Sequence, residues 1–398
     1  MIVLSGGSVV LPDRVQERGS VVVDADRIAA VESAAVAPAG AQVIDASGCF
    51  IVPGFIDVHV HGVEGLDTLD GGTVVSKIAH QLPRYGVTAF CPTSVACGPD
   101  DLSTFLAQVR GAFPSACARV LPAHLESNFI NPEFRGAQPL KCLRSPDEHR
   151  GAVAWPFTGP QILDIIETSG PAVGIVTLAP ELPGGIDLIR ALTSAGRIVS
   201  LGHSGADFDT AIAAIEAGAR HATHLFNRMT PLTHRAPGLA GAVLARHEVA
   251  AELICDGYHV HPSMCAVAIA AKGASRVMAI TDGTAGSGQP LGSTGSLGGQ
   301  AIHVRDSAAF LDDGTLAGST LTMDRVFRNL VTLLGQSVVD AVAMCSTTPA
   351  QQLGLSELGR IVEGAQADLV MVDREFRVVR TFVAGRPVWV NTGLTGSV

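Results

Sequence analysis

The eight cysteines of this sequence, at positions 49, 91, 97, 117, 142, 255, 265 and 345, include no C-x-x-C pair and no compact spacing. That excludes a zinc ribbon and a disulfide framework, and leaves free thiols in a reducing compartment. Positive charge is also scarce: 27 Lys and Arg stand against 37 Asp and Glu, a formal net charge of -10. Such a field repels nucleic acid and acidic membrane surfaces, so neither is expected as a partner, and an anionic substrate has to be held by a few local cations. No apolar run approaches the roughly 18 residues of a membrane span, and the opening "MIVLSGGSVVLPDR" lacks the basic start and long apolar centre of a secretion signal. A cytoplasmic protein is the expectation.

What the chain does have is length for a large core, 398 residues that are 47% hydrophobic, punctuated throughout by 44 Gly and 22 Pro. From residue 1 to about 52 it runs in short alternating strands with turn signals, and the tail "ADLVMVDREFRVVRTFVAGRPVWV" repeats that texture. Between these ends lie eight apolar strand-like runs, at 54–62, 86–94, 118–127, 172–181, 197–204, 220–226, 249–259 and 276–283. Helical periodicity fills most of the gaps. "DFDTAIAAIEAGA" has Asp207 or Asp209 as N-cap, "PSMCAVAIAAKG" stops at Gly273, and "MDRVFRNLVTLLG" follows the eighth run.

Eight strand–helix units predict an α/β fold, a (β/α)8 TIM-type barrel over 53–346, because parallel strands buried on both faces read as continuous apolar runs. Residues 1–52 and 347–398 then form a small β-sandwich domain from both chain ends. Two connections, 129–160 and 283–322, exceed ordinary loop length, and in a barrel such loops after strands sit at the catalytic face. The Gly-rich "GSGQPLGSTGSLGG" within the second reads as a flexible loop or series of turns, since no helix follows at once to make a phosphate cradle.

The chemistry-bearing residues collect at the ends of these runs. In "HVH", His59 and His61 share one face of the first strand, and alone they read equally as metal ligands or as satisfied structural histidines. The third run ends in Glu126, the fifth in His203, the sixth in His224 and the eighth in Asp282. A mixed imidazole and carboxylate set at the C-terminal ends of barrel strands suits a divalent transition metal and hydrolytic catalysis. His259, after the seventh run, is placed to hydrogen-bond a substrate carbonyl, while His261 caps or packs near the next helix. His124 points inward in a supporting or structural role. His221 and His247 read as surface or packing residues, and Arg228 and Arg235, without other information, as solvated loop arginines.

Taken together, "VPGFIDVHVHG", "GVTAFCPTS", "HLESNFINPEFRGAQ", "LGHSGADFDTAIAAIEAGARHATHLFNRMTPLTHRAPGLAGAVL", "LICDGYHVHP", "ITDGTAGSG", "LAGSTLTM" and "GRIVEGAQADLVMVD" resemble the amidohydrolase superfamily, and within it the N-acetylglucosamine-6-phosphate deacetylase family. The resemblance implies that Glu126, His203 and His224 hold a principal metal and that His59 and His61 hold a second one in members keeping both. Zinc (Zn2+) is the first choice, with Fe2+, Mn2+ or Co2+ as alternatives, as one or two ions. It makes Asp282 the general acid/base and places substrate contacts at Ala137, Gln138, Asn227, Arg228, Arg235, His259, Leu316, Ala317 and Gly318. It also implies a homodimer in which Arg235 reaches the sugar phosphate in the neighbouring site. Four features depart from the family pattern on the substrate side: Ser127-Asn128 for Gly-Pro, Gln138 for a frequent histidine, Arg228 for a small residue, and "TDGT" for "TDAM".

The reaction this implies is amide hydrolysis by metal-activated water, with Asp282 moving the proton and His259 or the metal polarising the carbonyl. The expected substrate is N-acetylglucosamine-6-phosphate or a close amino sugar phosphate. The alternative is an N-acyl amino acid, a cyclic amide or an unphosphorylated N-acetyl sugar. A catalytically silent scaffold would have lost ligands, and this chain keeps them.

Overall fold

The computed structural model describes residues 1–33, 38–112, 116–147, 156–306 and 308–393. The eight central runs form strands β1 (Phe55–Val60), β2 (Val87–Ser94), β3 (Ala123–Glu126), β4 (Val173–Leu178), β5 (Ile198–Leu201), β6 (His221–Ala222), β7 (Ala250–Ile254) and β8 (Val277–Ile280). Each pairs in parallel with the next in sequence. The last meets the first just past their ends, where Asp282 N–H donates to His59 O at 3.0 Å and His61 N–H donates to Gly283 O at 2.7 Å. The predicted barrel is therefore present and nearly closed. Every residue of β1 and β2 is buried, as strands covered on both faces require.

One helix follows each strand: α1 (Val74–Gln81), α2 (Pro99–Gly111), α3 (Gly159–Thr168), α4 (Gly185–Ser194), α5 (Phe208–Ala217), α6 (Gly238–Ala245), α7 (Pro262–Lys272) and α8 (Met323–Thr332). Of the two candidate caps of α5, Asp207 is the one used, accepting from Thr210 N–H at 2.8 Å. Gly273 ends α7 at φ +73°, and the His261 side chain caps its start by accepting from Ser263 N–H. Lys272, 2% exposed, donates from Nζ to Val243 O at 2.9 Å and Arg246 O at 2.7 Å, tying α7 to the C-terminus of α6. Lys272→Met keeps the apolar stem and removes both of these bonds, leaving Arg246 O with Val249 N–H alone. It is expected to cost about 1–3 kcal/mol, read as a lower urea midpoint at unchanged m-value.

The strands of both chain ends join one eight-stranded sheet, in the order Arg386–Val390, Val378–Val383, Leu369–Val372, Phe50–Pro53, Ile2–Val10, Val15–Asp24 and Arg27–Glu32, with Gln42–Asp45 also paired to Ile2–Val10. It encloses its own apolar core, which includes Leu4, Val21, Ile28, Leu369 and Phe382. The helical stretch Val338–Gln352 runs across position 347 and places Met344, Cys345 and Ala350 in the barrel's core.

The Gly-rich stretch of the connection 283–322, expected as a flexible loop or a series of turns, does hold turns, at 285–288, 291–292 and 298–299. The connection also carries a four-stranded antiparallel sheet, Thr294–Leu297, Gln300–Arg305, Ala308–Phe310 and Leu316–Ser319. The first two strands are joined by Gly298-Gly299, with φ of +56° and +78°, while Leu297 pairs with Gln300. Two consecutive left-handed residues make a tight hairpin turn whose twist suits the flanking strands, which is why glycines stand there. The small core beneath it, Val95, Ala285, Leu297, Ile302, Ala309 and Ala317, holds the sheet in place. The other long connection passes partly through 148–155, outside the described residues. Its described part turns tightly at Pro132–Phe134 and Leu140–Cys142.

Candidate metal centre and substrate pocket

All six expected metal or acid/base residues converge at the C-terminal mouth of the barrel, each at least nine-tenths buried. His203, His224 and Asp282 stand two residues past β5, β6 and β8, with φ of +48°, +30° and +47°. Non-glycine residues rarely adopt this left-handed conformation, and here it turns the chain sharply so that three side chains face the barrel axis.

Two sets of donors face each other. In the first, Glu126 Oε1 lies 2.8 Å from Nε2 of both His203 and His224, whose Nε2 atoms are 3.0 Å apart. In the second, His59 and His61 bring their Nε2 atoms to 3.2 Å, with Asp282 Oδ1 at 3.3 Å from the former and 3.5 Å from the latter. Glu126 Oε2 lies 3.5 Å from His61 Nε2, so the two sets adjoin. Within each set the ligand atoms lie within 4.8 Å of one another. At most one proton fits between two facing Nε2 atoms, and nitrogen and carboxylate donors at this spacing suit a divalent cation.

The charges agree. Burial opposes ionisation of Glu126, but His203, His224 and His61 outweigh it and hold its carboxyl well below the ordinary range. Asp282 behaves alike, burial being overcome by His59 and His61, so both carboxylates are charged at neutral pH. Burial keeps His59 neutral, at about 4. His61 and His224, also penalised by burial, are carried by these carboxylates to about 10 and about 9. Protons on these two rings supply the positive charge that the carboxylates demand, and a cation answers the same demand.

Support for the ligands comes from residues the sequence reading did not single out. Glu252, fully buried in β7, sets its Oε2 2.8 Å from His59 Nδ1 and 3.3 Å from His224 N–H. A carboxylate on Nδ1 fixes the tautomer that leaves Nε2 free for the cluster. Asp57 accepts from Thr281 Oγ1 at 2.5 Å and from His59 N–H at 3.3 Å, joining β1 to the turn that carries Asp282. His124 has the structural role expected of it, with Nδ1 on Val58 O at 3.0 Å and Nε2 on Thr177 Oγ1 at 2.7 Å, so neither nitrogen is left for a metal. His221 is a packing residue, not a surface one: it is buried in β6, and burial holds it neutral at about 3. His247 is exposed.

Burial raises the Glu252 carboxyl to about 7, so it is partly ionised at neutral pH, and Glu252→Gln keeps the shape while removing the ionisable oxygen behind His59. It is expected to weaken metal binding about 10–100-fold with the fold retained, measured by competition with a coloured chelator.

Above the donors lies a cavity of about 60 Å³, walled by Gly136, Ala137, Gln138, Asn227, Arg228, His259, Leu316 and Gly318, together with Val95 and Leu297. Leu297 comes from the hairpin that the sequence reading took for a loop. His259 is oriented by Asp256, whose Oδ2 lies 2.6 Å from Nδ1, and its Nε2 is buried with no partner among the described residues. Asn227 donates to His224 O at 3.1 Å. Gln138 accepts from Ala96 N–H at 2.7 Å and donates from Nε2 to Glu126 Oε2, so its amide is committed to the metal set. Ala317 turns into the small core and does not line the cavity. Arg235 lies in the exposed segment 231–236 and does not line it either.

A larger cleft of about 1090 Å³ lies elsewhere, bordered by Asp26, Arg119, Glu357 and Arg386. There Arg119 is paired with Asp368 at 2.7 Å and Glu357 with Arg27 at 2.8 Å.

The amidohydrolase family pattern matches residues 50–388. The chain is 37% identical over 354 residues to the N-acetylglucosamine-6-phosphate deacetylase of Lysinibacillus sphaericus, covering 87% of each chain. The chain belongs to the N-acetylglucosamine-6-phosphate deacetylase family of amidohydrolases. It is accordingly a hydrolase. A human relative of that name is 38% identical over 360 residues, covering 87% of this chain and 85% of its own. Among solved structures, the Pasteurella multocida deacetylase superposes with a TM-score of 0.89 at 27% identity, covering 98% of this chain and 100% of that one. A Mycobacterium smegmatis deacetylase mutant in complex with N-acetyl-D-glucosamine-6-phosphate gives 0.87 at 31%, covering 97% and 99%.

Proposed function

We propose that this chain hydrolyses the amide of N-acetylglucosamine-6-phosphate, or of a close amino sugar phosphate, to acetate and the free amine. The observation that carries the reading is the pair of adjoining donor sets beneath a small cavity that Asp282 and the unpartnered Nε2 of His259 both line.

Glu126, His203 and His224 hold the principal metal, zinc by preference, and His59 with His61 hold a second. Bound there, a divalent ion supplies the Lewis acidity that makes water nucleophilic near neutral pH and polarises a carbonyl. The ionised Asp282 takes the proton of the attacking water and passes one to the departing amine. His259 Nε2 faces the substrate carbonyl. Donation from it requires the doubly protonated ring, for which Asp256 is the counter-ion. Ala137, Gln138, Asn227, Leu316 and Gly318 shape the sugar's place. The working protein is a cytoplasmic homodimer in which Arg235 reaches a neighbouring site. We place the catalytic barrel at 53–346 and a small β-sandwich domain at 1–52 with 347–398; the separate core around Leu4, Ile28 and Phe382 supports the division, while Ala350 in the barrel's core moves its second boundary past the helical stretch Val338–Gln352.

The Ser127-Asn128 departure from the family pattern leaves the substrate reading intact. Ser127 Oγ donates to Thr177 O at 2.6 Å, and Asn128 Nδ2 donates to Cys97 O at 2.8 Å and Cys142 O at 2.7 Å, so both side chains are spent on backbone carbonyls. A panel of N-acetylated amino sugars, with and without a 6-phosphate, tests the reading on protein of measured metal content. Acetate release that favours the 6-phosphates is expected, and no turnover of any phosphosugar overturns it.

A further inference from the structure

Of the departures on the substrate side, Arg228 is the one that brings a charged side chain to the cavity wall. It lines the cavity and is exposed, and its side chain has no hydrogen bond or ion pair among the described residues. Its backbone is held at φ +48°, with Ser204 N–H donating to its carbonyl at 3.0 Å. Its stem lies across Gly136: a Cβ on that glycine would stand 2.9 Å from Arg228 Nε and 3.3 Å from Cγ and Cδ. Gly136, at φ +57°, thus both makes the turn and leaves room for the arm. The carboxylates beneath give the guanidinium no partner, since Glu126 and Asp282 are matched to histidines and Gln138. On the same wall stands the buried, unpartnered Nε2 of His259.

A planar cation with several donors, laid over a small cavity in a chain of net charge -10, is suited to a phosphate monoester. We propose that Arg228 is this chain's own phosphate-binding arm, gripping the substrate's anionic end from within the subunit that does the chemistry, alongside any cation a second copy supplies. The inference rests on the phosphosugar reading above and adds to it that the phosphate preference is set largely in cis. No covalent step is involved.

The test compares Arg228→Ala, Arg228→Lys and Arg235→Ala as metal-loaded protein on N-acetylglucosamine-6-phosphate and on N-acetylglucosamine. Arg228→Ala is expected to lower the ratio of kcat/KM between the two sugars about 10–100-fold, through KM for the phosphosugar, as loss of a charge-assisted contact does. Arg228→Lys recovers part of the ratio, and inorganic phosphate inhibits the wild type more strongly than Arg228→Ala. A ratio unchanged in Arg228→Ala while the wild type favours the 6-phosphate overturns this inference and spares the phosphosugar reading. A wild type without 6-phosphate preference overturns both.

Discussion

Asp282→Asn is expected to lower acetate release from N-acetylglucosamine-6-phosphate about 10²–10⁴-fold, the span of a lost general acid/base, with KM changed little. The asparagine keeps the size of the side chain and its place at φ +47° beyond β8, so the turn sealing the barrel between His59 and Gly283 survives. What it loses is the capacity to take a proton. In the native protein, burial works against the Asp282 carboxylate, and His59 and His61 more than compensate, keeping it ionised at neutral pH. The set proposed to hold the principal metal, Glu126, His203 and His224, does not include Asp282. Metal analysis of the variant should therefore show that ion retained while turnover collapses. Loss of the ion together with the activity would make Asp282 a ligand first and a proton carrier second.

How much of this was legible in the sequence follows from what each feature depends on. The barrel was readable because eight strands buried on both faces leave eight predominantly apolar runs, and His203, His224 and Asp282 stood out because each stands at the end of such a run. The sheet inside 283–322 was missed because its strands are three to six residues long over a core of only a few side chains, and glycines that look like flexibility are two left-handed turn positions. The Gly-Gly pair between "TGSL" and "QAIHVR" was the available signal. Glu252 was missed for the opposite reason: it sits in mid-strand, where attention falls on strand ends. Its signal was a lone carboxylate within the apolar run "VAAELI", a position that only a partnered charge occupies. Gln138 read as a substrate contact because the family resemblance put it there, and its bond to Glu126 depends on a fold of the 129–160 loop that no local pattern encodes.

Glu126→Gln is expected to remove the principal ion and with it all but about 10⁻⁴ of the activity, the larger of the two losses, because it deletes the single carboxylate of that set. Glu126 Oε1 receives both His203 and His224, and Oε2 receives Gln138, so one neutralised side chain strips the charge from three contacts at once. A glutamine also turns one of its ends into a donor, placing an N–H against an imidazole or against the Gln138 amide. His224 then loses the largest influence raising its pKa, and burial returns the ring toward neutrality. The variant thus retains two imidazoles and a neutral amide, a set without the carboxylate charge that draws a divalent ion from water. Plasma emission analysis should find the metal count lower by one ion per chain than in the wild type. Thermal unfolding should also lose its dependence on added metal at that site, since an ion bound only by the native state stabilises by mass action. If the count falls to zero, His59 and His61 hold no ion without Glu126. If one ion remains, the pair holds its own.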